Sequence, residues 1–151
     1  SGTSGLDVET GVTLGGESRK WLPFDGGLTG SDHGDFRWAY FNGYLGSALL
    51  ANTTLYLGAF GVTTIPTATA RHYAFRYDSA ASANWIATVA DGTTETTADT
   101  TIAVALNVQY ILAISFDGTS VRFYIDGTLR ATITATLPTG APSNFCIFLY
   151  T

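Results

Sequence analysis

An all-β fold is the class this 151-residue sequence predicts, and three observations carry the prediction. The polar residues are mostly Thr, Ser, Gly and Asn, whereas helix formers are scarce, with three glutamates, one lysine and no methionine. Several stretches alternate apolar and polar residues with period two, the spacing that puts one set of side chains on one face of a strand. Between them lie Asp-Gly and other Gly-rich clusters, which favour tight turns. A chain of this length forms one domain and buries about two thirds of the surface it exposes when unfolded.

The elements follow in order. Residues 1–20 are rich in Gly, Thr and Ser, with weak alternation at Val8, Val12 and Leu14. They read as a flexible N-terminal segment or linker that can end in an edge strand, ahead of an ordered domain over 21–151. WLPFDGGLTGSDHGDFRWAYFNGYLG mixes aromatics with Gly and Asp, as long loops between short strands do. The uncharged span from Trp38 to Ala70 is long enough to cross a bilayer as a helix, for which about 20 apolar residues suffice. Asn52-Thr53-Thr54, the repeated Gly and Pro66 suit strands and turns instead, so no membrane partner is expected and SALLANTTLYLGAFGVTTI supplies one or two buried strands. RHYAFRYD places Tyr73, Phe75 and Tyr77 on one strand face, and NWIATVA does the same with Trp85, Ala87 and Val89. DGTTETTADTT is polar throughout and fits a loop or an exposed edge strand, and the apolar alternation of IAVALNVQYILAISF breaks near Asn107.

Asp-Gly-Thr occurs at Asp91, Asp117 and Asp126, which raises the choice between a chemical site and turn punctuation. A two-residue turn at Asp117-Gly118 pairs Phe116 with Thr119, Ile114 with Val121 and Leu112 with Phe123, keeping the apolar residues together. A second two-residue turn at Asp126-Gly127 throws Leu129, Ala131 and Ile133 onto the opposite face. A three-residue connection, Ile125-Asp126-Gly127, with Gly127 left-handed in a bulge, restores the core by pairing Phe123 with Leu129 and Val121 with Ala131. Two different turns are therefore predicted from near-identical triplets, with the aspartates as turn-makers.

Charged residues are 13% of the chain, against an apolar share of 46%, so part of the apolar surface is expected to be covered by another copy or another protein. A net charge of −5 with scattered cations excludes nucleic acid as a partner. Cys146 is the only cysteine; it is expected to be a small buried side chain, and it can form neither an internal disulfide nor a cysteine zinc site. No catalytic residues emerge. Glu9 and Glu17 fall in the N-terminal segment and Glu95 in a polar loop, so no strand presents paired carboxylates to a sugar. The two histidines and the lack of Gly-x-Ser-x-Gly leave a serine-hydrolase triad unsupported. Asp25, Asp32, His33 and Asp35 could offer oxygen ligands to a cation but lack EF-hand spacing and read as solvated loop residues. His72 is placed on a strand as a surface or interface residue. No metal and no cofactor are expected. Trp21, Trp38, Tyr40 and Tyr44 are the candidate carbohydrate-stacking residues, because flat rings beside polar groups can pack on sugars. Asn52-Thr53-Thr54 matches a glycosylation acceptor.

The block HYAFRYDSAASANWIATVADGTTETTADTTIAV through YILAISFDGTSVRFYIDGTLRATITATLPTGAP resembles the concanavalin A-like or laminin G-like jelly-roll domains of tailed-bacteriophage virion proteins. The shared features are an Asn-Trp strand running into Asp-Gly-Thr-Thr, a polar stretch, a hydrophobic strand and the Val-x-Phe-Tyr-Ile-Asp-Gly hairpin. The resemblance covers Arg71 to Pro142, about half the chain. It implies a two-sheet antiparallel β-sandwich, and a non-enzymatic structural module on the virion surface, as capsid decoration, tail fibre or adhesion protein. Such a module works through contacts with other virion proteins and its own copies. The alternatives are a lectin-like module for host-surface glycans and, behind it, a glycoside hydrolase. The calcium and sugar ligands of legume-type lectins have no matching motif here. The family pattern also continues beyond NFCIFLYT, so its closing strand is missing, supplied by the N-terminal segment, or contributed by a neighbour.

Overall fold

The computed structural model describes residues 17–23, 39–44, 53–61, 67–139 and 144–150, with side chains described for 41, 53–61 and 67–139. Ten strands occur among them: β1 (Glu17–Pro23), β2 (Ala39–Tyr44), β3 (Thr54–Phe60), β4 (His72–Asp78), β5 (Ser82–Ala90), β6 (Glu95–Ala103), β7 (Gln109–Phe116), β8 (Val121–Ile125), β9 (Thr128–Ile133) and β10 (Asn144–Tyr150). They form a six-stranded sheet in the order β1-β10-β3-β4-β5-β6 and a four-stranded sheet in the order β2-β7-β8-β9, with every pairing antiparallel. The protein is thus the all-β, two-sheet sandwich that the sequence predicts. β1 pairs with β10, so the N-terminal segment supplies the edge strand beside the last one.

The alternating residues meet between the sheets. Leu55, Leu57 and Ala59 of β3, Tyr73 and Phe75 of β4, and Trp85, Ala87 and Val89 of β5 face Leu112, Ile114, Val121, Phe123 and Ile125 of the smaller sheet. The packing across the layers is aromatic. Phe75 meets Phe123 edge-on at 5.2 Å between centroids, Tyr73 stacks on Phe116 at 5.3 Å, and Trp85 meets Tyr110 edge-on at 5.8 Å. The predicted faces of β4 and β5 hold, with Tyr77 partly buried against the same core.

The first hairpin obeys the predicted parity, the second does so at Ala131 and Ile133 but not at Leu129, and neither forms the predicted turn. At the first, Phe116 pairs with Val121, Ile114 with Phe123 and Leu112 with Ile125, so Asp117-Gly118-Thr119-Ser120 is a four-residue loop and not a two-residue turn. The shift of two leaves every side chain on its expected face, which is why alternation alone cannot detect it. The physical preference comes from Asp117, whose Oδ1 accepts from the Thr119 N–H, the Thr119 hydroxyl and the Ser120 N–H. Asp91 accepts from the Thr93 N–H, the Thr93 hydroxyl and the Thr94 N–H in the same way, so these two loops are one design used twice.

At the second hairpin, Asp126 and Gly127 have φ of 51° and 76° and form the two-residue turn, with Ile125 opposite Thr128. The extra residue lies further along. Tyr124 pairs with Leu129 and Phe123 with Ala131, leaving Arg130 in a bulge that returns Ala131 and Ile133 to the core. Leu129 is therefore exposed and not paired with Phe123, against the sequence expectation. Two different turns do arise from the near-identical triplets.

Candidate functional site

The face of the six-stranded sheet turned away from the core is also largely buried. Tyr56 and Phe60 of β3, His72 and Ala74 of β4, and Thr88 and Ala90 of β5 are nearly inaccessible. His72, expected at the surface, is 0% exposed, with the Phe60 ring at 5.4 Å and the Tyr56 ring edge-on at 5.9 Å. Its place opposite the aromatic face of β4 was legible, but a second layer of burial there was not. Glu95, read as a loop residue, belongs to edge strand β6, because a Thr-rich edge strand and a polar loop have the same composition.

Cross-strand register gathers these side chains. Phe60 pairs with His72, His72 with Ala90 and Ala90 with Glu95, while Tyr56 pairs with Arg76 and Arg76 with Ile86. Arg76 Nη1 lies 3.1 Å from Glu95 Oε1 and 3.0 Å from Oε2, and it donates a longer bond of 3.4 Å to the Tyr56 hydroxyl oxygen. The two charged side chains keep 19% and 13% of their surface exposed, so the pair is sunk into the face yet reaches solvent. Arg76 Nε is buried and has no hydrogen-bond partner among the described residues.

Behind the pair runs a chain of short bonds. Thr88 Oγ1 donates to Glu95 Oε1 at 2.6 Å, His72 Nε2 lies 2.9 Å from Thr88 Oγ1, and His72 Nδ1 lies 2.6 Å from the Ala70 carbonyl. Burial pushes the His72 imidazole below its ordinary pKa, with the Arg76 charge acting in the same direction and the Ala70 bond and Glu95 opposing both. Burial pushes the Tyr56 phenol upward, so it remains a neutral hydroxyl. Glu95 and Asp99 share one side of β6, four residues and therefore about 13 Å apart along the strand. Asp99 is engaged by the Asn84 side-chain amide at 3.0 Å and by the Thr101 N–H at 2.7 Å.

The stacking candidates divide between the sheets. Trp21 is in β1, opposite Cys146 of β10, and Cys146 is in turn opposite Gly58 of β3. Tyr40 and Tyr44 are in β2, opposite Ala113 and Gln109 of β7. The side chains of Trp21, Tyr40, Tyr44 and Cys146 lie outside the described residues, as do Trp38, Asn52, and the loop residues Asp25, Asp32, His33 and Asp35. The sequence reading missed Tyr56, Arg76 and Thr88. A usable signal existed in an arginine alternating with aromatics in the middle of a strand of a chain that has only seven cations.

No curated protein sequence matches the chain. Among solved structures, the Bacillus licheniformis beta-glucanase superimposes with a TM-score of 0.59 at 14% identity, covering 90% of this chain, which spans 58% of the glucanase. Sheep galectin-11 gives 0.54 at 13% identity, over 88% of this chain and 92% of the galectin. The carbohydrate binding module CBM66 from Bacillus subtilis gives 0.52 at 12% identity, over 92% of this chain and 75% of the module. At these identities the likeness is one of fold, a jelly-roll sandwich. A family model described as the concanavalin A-like lectin/glucanases superfamily matches residues 50–149, and the chain belongs to that superfamily.

Proposed function

We propose that this domain is a non-enzymatic, lectin-like module that binds a glycan at Arg76 and Glu95 on the outer face of the six-stranded sheet. The observation that carries the reading is the Arg76–Glu95 pair itself, held in fixed geometry on an otherwise largely buried face, with both side chains reaching solvent. A guanidinium beside a carboxylate offers donors and acceptors matched to neighbouring sugar hydroxyls, and a few fixed polar groups in a mostly apolar setting are what small-ligand sites use. The names of the galectin and the carbohydrate binding module with this fold support the same ligand class.

Against hydrolysis stands the commitment of both β6 carboxylates. Glu95 is held by Arg76 and Thr88 and Asp99 by Asn84, at a separation along the strand of about 13 Å, whereas glycosidase pairs lie about 5 to 10 Å apart. The setting we propose is the surface of a phage particle, where the module acts as decoration or tail fibre, contacting other virion proteins and its own copies. That part rests on the sequence resemblance and on the low share of charged residues.

A glycan array on the intact domain tests the binding reading. Glu95→Gln and Arg76→Lys are each expected to weaken the strongest hit at least tenfold, about 1.4 kcal/mol, with the far-ultraviolet dichroism unchanged. An array without hits, or variants that bind as the parent does, would overturn it. Release of reducing ends from a bound polysaccharide would overturn the non-enzymatic assignment. Light scattering on the eluting protein reads the self-association, and a monomer at micromolar concentration would count against it.

A further inference from the structure

We infer that His72 is a positioning residue for Glu95, acting through the Thr88 hydroxyl, and that its protonation closes the Glu95 carboxylate to ligand. The inference deepens the glycan-binding reading and rests on it for the ligand, but the relay itself is defined by hydrogen positions. The Ala70 carbonyl can only accept, so His72 Nδ1, at 2.6 Å, carries a proton. Glu95 takes charge-assisted bonds from Arg76 and is an acceptor, so the 2.6 Å contact is a Thr88 O–H donated to Oε1. Thr88 then has only lone pairs left for His72 Nε2 at 2.9 Å, and this contact is satisfied only when Nε2 also bears a proton. All three bonds coexist in the imidazolium and not in the neutral ring.

In the neutral state one hydroxyl proton is shared between two acceptors. Thr88 can turn to Nε2, which frees one lone pair of Glu95 Oε1 for an outside hydroxyl while Arg76 keeps the other. Adding a proton to His72 fixes Thr88 on Glu95 and occupies that oxygen from behind. The groups facing the imidazole among the described residues are few. Tyr56 on β3 is neutral, Arg76 on β4 repels the added charge, Thr88 on β5 relays it, and Glu95 on β6, at 3.6 Å from Nε2, attracts it. With His72 fully buried and its ordinary pKa lowered, the neutral ring is the state at physiological pH and the loaded state is reached in acid.

Two readouts test this. Imidazole nitrogen shifts followed by NMR between pH 7.5 and 4.5 are expected to show an Nδ1–H tautomer that gains its second proton at a lower pH in Thr88→Val and in Glu95→Gln than in the parent. A His72 titration unmoved by Thr88→Val would overturn the relay, whether or not any glycan binds. The second readout is affinity for the strongest array glycan, expected to fall severalfold on acidification in the parent and to stay level in His72→Gln and Thr88→Val. The same fall in all three proteins would overturn the coupling. A glycan array without hits alongside a normal relay titration would sink the binding site and leave His72 as a positioning residue of the Arg76–Glu95 pair alone.

Discussion

The Tyr110 hydroxyl accepts from the Ala105 N–H at 2.8 Å and donates to the Ala103 carbonyl at 3.0 Å, tying the β6–β7 loop to a ring that is 4% exposed. Removing that one oxygen leaves two backbone groups to find new partners while the ring packing is kept. Tyr110→Phe is therefore expected to cost about 1 to 3 kcal/mol, read from the shift in urea midpoint at constant slope. The turn aspartates act through charge as well as geometry. Bonds from Thr119 and Ser120 hold the Asp117 carboxyl well below the usual carboxylate range, and bonds from Thr94 and Thr93 lower Asp91. A depressed carboxyl stabilises the fold above its ordinary value of 3.8, and this contribution is lost as pH falls further. His72 has the opposite charge type but the same sign, because a buried imidazole with a lowered pKa favours folding above its ordinary value of 6.5 and loses that effect as pH falls toward its folded value. Acid unfolding should thus weaken the domain in two windows, one starting near 6.5 and one near 3.8. Urea titrations at pH 7, 5 and 3 are expected to show the first window shrink in His72→Gln and the second in Asp117→Asn.

Among the elements, β9 makes the sharpest forecast. Arg130 is the surplus residue of its bulge, so deleting it joins Leu129 to Ala131 in continuous register and leaves Ala131 and Ile133 facing the core. Deleting Thr132 instead turns Ile133 outward. The first deletion is expected to stay within about 1 kcal/mol of the parent, and the second to cost about 1.5 to 3 kcal/mol, the burial of one Ile side chain. β3 carries a stricter constraint, since a Cβ at Gly58 would run into the Tyr73 carbonyl oxygen and come within 2.6 Å of Ala74 Cα. Because the obstacles are backbone atoms, Gly58→Ala is expected to cost about 1 to 3 kcal/mol by thermal or urea unfolding. The faces of β4, β5, β7 and β8 were legible, because period-two alternation encodes which side a residue occupies. What alternation cannot encode is a slip by two, which moved the Asp117 loop, or where along a strand an odd residue is taken up, which moved the bulge from Gly127 to Arg130. The site was harder to read. Arg76 and Glu95 are 19 residues apart in sequence and meet only because β5 lies between their strands, so no local spacing announced them.

For the whole molecule, stability depends on two sheets being held face to face by rings. Phe75 and Phe123 come from different sheets and touch each other, so their truncations should not add. Each change to Ala is expected to cost about 3 to 5 kcal/mol, and the double variant to fall short of the sum by about 0.5 to 3 kcal/mol, measured as a double-mutant cycle in urea. The sandwich class followed from composition, alternation and family resemblance, since each reports on the layer that most residues share. The partition of the ten described strands into six and four did not, because it depends on pairings between distant segments such as β3 with β10. That pairing leads on to β1, and it has an architectural consequence. Glu17 sits opposite Tyr150, on strands about 5 Å apart, so the start of β1 and the end of β10 lie side by side at one end of the sheet. Peeling begun there would take β1 and then β10 from the sheet and leave β3 as its raw edge.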